Sequence, residues 1–260
     1  MFRANHAHLG GRLEHCEALA REALAHRFEG YDETAAHIFA VQMLFVRREQ
    51  GRLDELVETV EGFAAQYGQL ASWRYAPVSI YAQLGRAAQA RQELEALAHA
   101  DFEDLPRDAL WLWNLSTLCE VVVFLGDTPR ARLLYELLLP YADRCVVAFT
   151  LLSQGSASRS LGLLATTLSR FEDAARHFEH ALEFNAQIRS PLWVAHTQHD
   201  YAHMLLLRNS PGDRDKAVEL LERALATGEE LGLKALADKA RPLKLAAETA
   251  APSPALRKTA

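Results

Sequence analysis

Ser169-Arg170-Phe171-Glu172-Asp173-Ala174-Ala175-Arg176-His177-Phe178-Glu179-His180-Ala181 places a small, a large and a small residue (Ala174, Phe178, Ala181) at offsets of four and three. Such offsets keep all three on one face of a helix. The small residues let a neighbouring helix approach, and the large one fills the space between them. The same arrangement recurs from Gly11, Gly51, Gly85, Gly126 and Gly212, at spacings of 40, 34, 41, 43 and 43 residues. Five residues after each start stand Cys16, Leu56, Ala90, Ala131, Ala174 and Ala217; four further on, Ala20, Val60, Leu94, Tyr135, Phe178 and Leu221. Leu56 and Phe63 depart from the small-residue rule, so the second unit is the weakest.

A repeat of this length, apolar stretch, glycine, apolar stretch, reads as helix, tight turn, helix. Glycine supplies the permissive turn, and the acidic residues after it suit the start of the second helix. Pro129 and Pro211 fall at the junctions, and Pro106 and Pro191 are expected to open the first helices of their units. No alternating strand pattern with hairpin signals is read anywhere, so the predicted fold is all-α. The expected units are about 2–24 (incomplete), 33–67, 71–100, 106–142, 146–188 and 191–231. A capping helix follows at 233–248, then a disordered tail at 249–260.

Leu161-Gly162, Ser169 to Ala174, Phe178 and Ala181, followed by Tyr201-Ala202, Asp215-Lys216-Ala217, Leu221 and Ala224, occupy signature positions of the tetratricopeptide repeat, which the chain resembles over nearly its whole length. The resemblance implies a right-handed α-solenoid of about six antiparallel helix pairs with a concave inner wall. Phe39-Ala40-Val41-Gln42, Arg47-Arg48-Glu49-Gln50-Gly51-Arg52-Leu53, Asp101 to Asp108 and Leu134 to Ala142 further resemble the repeat region of large bacterial signalling ATPases. That likeness implies a regulatory role and no activity carried by this segment.

Composition narrows the function classes. Half the residues are hydrophobic, which excludes a disordered chain, and the net charge of −6 is no nucleic-acid binder's footprint. The longest uncharged run, Cys145 to Ser158, is too short and polar to span a bilayer, and Met1 to His6 has no signal core. A cytoplasmic location without membrane partners is expected. The odd count of three cysteines, without C-x-x-C, fits reduced thiols, and Cys16 and Cys119 take core positions. The phosphate-loop, dinucleotide, zinc-protease and nucleophile-elbow motifs are all absent. Neither an enzyme nor a cofactor is expected.

On the repeat template the inner wall carries Tyr75, Trp113, Ser116, Glu120, Arg159, Thr166, His196, His199 and His203. A groove aromatic can anchor a ligand, and Arg159 can meet a carboxylate or form a structural ion pair. The three histidines share a helical face with Asp200 four residues after His196. They read as a polar groove face or, as a weaker candidate, as a metal or pH-sensitive site. His6, His8, His177 and His180 are expected at the surface. The leading expectation is a protein- or peptide-binding scaffold; the alternatives are a small-molecule or metal sensor and a self-assembling module. Self-assembly is argued from the incomplete first unit, whose apolar end near Leu13, Leu24 and Phe28 is expected to need an upstream domain or a second copy as partner.

Overall fold

The structure is a computed structural model that describes residues 2–26, 32–68, 70–98, 102, 105–148 and 152–249. It is mostly helical. In chain order the helices are α1 (Phe2–Leu9), α2 (Leu13–Ala25), α3 (Asp32–Glu49), α4 (Val57–Tyr67), α5 (Ala71–Arg74), α6 (Ala76–Gln83), α7 (Ala87–Leu97), α8 (Trp111–Leu125), α9 (Thr128–Leu138), α10 (Ala157–Thr167), α11 (Phe171–Gln187), α12 (Pro191–Arg208), α13 (Asp213–Leu231) and α14 (Lys234–Thr249). Two strands, β1 (Cys145–Ala148) and β2 (Leu152–Ser156), separate α9 from α10. Among the described residues no helix is long and apolar enough to cross a membrane. The predicted tail beyond Thr249 lies outside the described residues.

The repeated turn has one hydrogen-bond signature. At Gly85 (φ 71°) the amide donates to Ala82 O at 3.1 Å, and the next amide, Arg86, donates to Tyr81 O at 2.8 Å. This paired closure needs a left-handed residue at the helix end. Gly11, Gly51 and Gly126 repeat it. Ser169 makes the same two bonds at φ 58° without glycine's freedom, so that turn holds a strained residue. The sixth turn differs: α12 ends on left-handed Asn209, and Gly212 caps the start of α13.

Cys16, Ala90, Ala131, Ala174 and Ala217 are fully buried. Leu56 is half-buried because a 3-10 turn, Leu53–Leu56, delays the start of α4. A Cβ added to Gly162 would lie 2.7 Å from the Phe178 ring, which is how closely α10 meets α11. Successive helices pack on each other from α8 to α9 and from α10 through to α14, while α6 also meets α8, α8 meets α10, and α10 meets α12.

Several expectations are corrected. The helix predicted from 146 begins at Ala157, because β1 and β2 pair antiparallel, Val146 with Gly155 and Ala148 with Leu152. Adjacent β-branched residues at Val146-Val147 favour strand. β2 is buried along its whole length. Trp193 Nε1 donates to Ser153 O at 2.9 Å, and Asn185 Oδ1 accepts from the Ser156 amide at 2.9 Å. Gly155 (φ 71°) leaves no space for a side chain against Asn185 and Trp193. Pro106 does not open α8, which starts at Trp111, whereas Pro191 is the first residue of α12.

At the N-terminal end Leu13 is buried, while Phe2 is exposed. α1 packs on α12 and β2, and α3 on α14. Ala4, Ala7, Leu13 and Cys16 share a small core with Trp193 and Leu236. Leu24 is half-buried, and Phe28 lies outside the described residues.

Candidate functional site

The meeting of the two ends of the chain creates a cavity of about 200 Å³. α8 brings Glu120, α10 brings Arg159, and α12 brings His196, His199 and Asp200. The rest of its polar lining comes from Arg48 and Glu49 at the end of α3, Gln83 of α6 and Lys239 of α14.

Charges alternate around it. Arg159 donates from Nε to Asp200 Oδ2 and from Nη1 to Glu120 Oε1, both at 2.8 Å. Arg48 Nη2 donates to the same Glu120 oxygen at 3.1 Å, while Gln83 Nε2 donates to Glu120 Oε2 at 3.2 Å. His196 Nε2 lies 2.7 Å from Glu49 Oε2, and His199 Nδ1 lies 3.0 Å from Asp200 Oδ1. Both guanidinium groups also sit over the Trp193 ring, at 5.8 Å for Arg48 and 5.4 Å for Arg159, a cation–π arrangement.

The carboxylates stay ionised despite burial. Burial pushes the Glu120 carboxyl up, but Arg48 and Arg159 outweigh it and hold it at about 2. Burial likewise raises Glu49, and His196 and Arg48 bring it down to about 2. Asp200 is held well below the usual range by Arg159 and His199 against the same opposing effect of burial. Removing one member would leave a buried charge without compensation.

Of the sequence-predicted residues, Glu120, Arg159, His196 and His199 line this cavity. Tyr75 and Trp113 do not; they border a separate hollow of about 40 Å³. Trp113 packs there on Phe45, ring centroids 5.0 Å apart. Ser116 is buried against Ser160, Oγ to Oγ 2.8 Å, joining α8 to α10. Thr166 Oγ1 donates to Gly162 O of its own helix at 2.7 Å. His203 is exposed. The three histidines therefore do not converge, since His196 and His199 each take a different carboxylate. Among the described residues no group of three His, Cys, Asp or Glu side chains is arranged to hold a metal ion.

His8, expected at the surface, is fully buried in α1, and neither ring nitrogen has a hydrogen-bond partner. Burial lowers its pKa to about 4, with Arg48 and His196 acting in the same direction and Glu49 against it. Cys16 and Cys119 are buried as expected, and burial pushes both thiols up.

Sequence reasoning missed Arg48, Glu49, Gln83 and Lys239 as site residues. Arg48 and Glu49 stand inside a stretch singled out for its likeness to signalling proteins, but Glu49's partner, His196, is 147 positions away. Asp200 carried a local signal, its four-residue spacing from His196. No protein-family model matches the chain, and no curated protein aligns with it significantly.

Proposed function

We propose that the chain is a non-catalytic binding module, a tetratricopeptide-like array acting as the sensor arm of a bacterial signalling system, and that its ligand enters the charged cavity. One observation carries this reading: side chains from α3, α6, α8, α10, α12 and α14 converge on a single space of about 200 Å³. Concave spaces with a few converging polar groups are the usual form of a ligand site. The cavity carboxylates are locked in ion pairs and held ionised, which suits recognition rather than proton transfer.

Of the expected ligand classes, the geometry favours a small molecule over an extended peptide. α3 and α14 touch each other and wall the cavity, which leaves space for a compact ligand or the end of a chain. A thermal-shift panel of amino acids, short peptides, sugars, nucleotides and organic acids tests this. Some members should raise the melting temperature of the wild type by at least about 2 °C. They should leave the plugged variants Ala235→Trp and Leu163→Trp unchanged, since both half-buried residues line the cavity. Absence of any shift, or shifts retained by both folded variants, would contradict the assignment.

A further inference from the structure

The balance of charge in the cavity narrows its ligand, an inference that rests on the binding reading above. Arg48, Arg159 and Lys239 face Glu49, Glu120 and Asp200, three cations against three anions. A ligand with net charge would upset this balance, and a wholly apolar ligand would strip water from the lining charges. A molecule carrying both signs meets both demands.

The partnering of these groups says where each end goes. Lys239 is exposed at the rim and, among the described residues, has no ion-pair partner. It is the cation available to a ligand anion. Glu120 and Asp200 keep 18% and 11% of their side chains open, against 1% for Glu49. The first two can therefore accept from a ligand cation, and Glu49 serves to anchor His196. The lining also has apolar side chains, among them Val121, Phe124, Leu163 and Leu236.

We propose that the cavity takes an α-amino acid as its zwitterion, with the carboxylate at Lys239, the ammonium at Glu120 and Asp200, and an apolar side chain against Val121, Phe124 and Leu163. The probes are L-leucine, L-leucinamide, which lacks the carboxylate, and 4-methylpentanoate, which lacks the ammonium, each titrated calorimetrically. Leucine should bind at least tenfold more tightly than either analogue. Lys239→Met, at an exposed position, should remove most of that advantage over leucinamide. Equal binding of either analogue, an unchanged leucine affinity in Lys239→Met, or no leucine binding would overturn the proposal. If leucine fails while other panel compounds still distinguish the wild type from the plugged variants, only the ligand class falls. If nothing in the panel acts through the cavity, the binding reading falls with it.

Discussion

The helices beyond residue 157 and those before residue 50 carry the same pattern of turns and small residues, yet they satisfy it differently. From α10 to α14 the small positions are fully buried, and among the described residues only Gln198 hides a side-chain atom without a hydrogen-bond partner. In the first fifty residues His8, His37, Gln42 and Glu49 all do. Local pattern accounts for the C-terminal helices. The N-terminal helices are held by docking on distant partners, and they bury polar atoms that packing alone would replace with carbon. Where local rules are broken in a folded chain, a functional site is the usual reason. Glu49, one of these residues, lies in the cavity wall, and His8 lies beside it.

The largest expected effect comes from cutting the network that ties these two regions together. Arg159→Ala leaves Glu120 with Arg48 as its one guanidinium and Asp200 with only His199, and should lower unfolding free energy by about 4 kcal/mol in a urea titration. A loss below about 1 kcal/mol would mean that the network adds little to the docking.

His8 sharpens the contrast through pH. Its folded pKa of about 4 lies below the ordinary 6.5, so between those values the unfolded chain binds a proton that the folded chain does not. Its contribution is therefore fully present above pH 6.5 and is lost as pH falls through 4, by about 3 kcal/mol in total. His8→Leu should flatten the stability profile between pH 7 and 4.5 relative to the wild type. Parallel profiles would show that His8 does not titrate as a buried, unpartnered group.

The smallest effect belongs to the C-terminal region. Ser169 is exposed and left-handed where the turns at Gly11, Gly51, Gly85 and Gly126 use glycine. Ser169→Gly should raise stability by about 1 kcal/mol, roughly 2–4 °C in melting temperature. An unchanged or lowered melting temperature would mean that the turn stores no strain.

Much of this was readable in the chain itself, and the reasons it stopped are physical. The turn glycines and small positions repeat at fixed offsets because each helix meets its sequence neighbour, so the signal is local. The second unit was read as the weakest because Leu56 and Phe63 break the rule, and Leu56 lies in a 3-10 turn. The strand pair was missed because Val146 and Val147 fall where the repeat places a helix, and β2 is stabilised by Asn185 and Trp193 from later helices. Glu120 and Arg159 were expected in the groove on the repeat template, and both line the cavity. Arg48 of α3, which pairs with Glu120, and Lys239 of α14 were not expected there, because nothing near either in sequence indicates which helix it faces. Tyr75 and Trp113 were assigned to the groove by the template, and the docking of Phe45 turned that part of the wall into core.

The contact between Glu49 and His196, 2.7 Å apart and far separated in sequence, tests most directly whether the two ends of the chain close on one another. A double-mutant cycle with Glu49→Gln and His196→Asn, read by urea unfolding, should return a coupling of about 1.5 kcal/mol or more, as for a buried charge-assisted hydrogen bond. Additivity within about 0.3 kcal/mol would place the two residues out of contact, and the cavity with its charged wall would have to be abandoned.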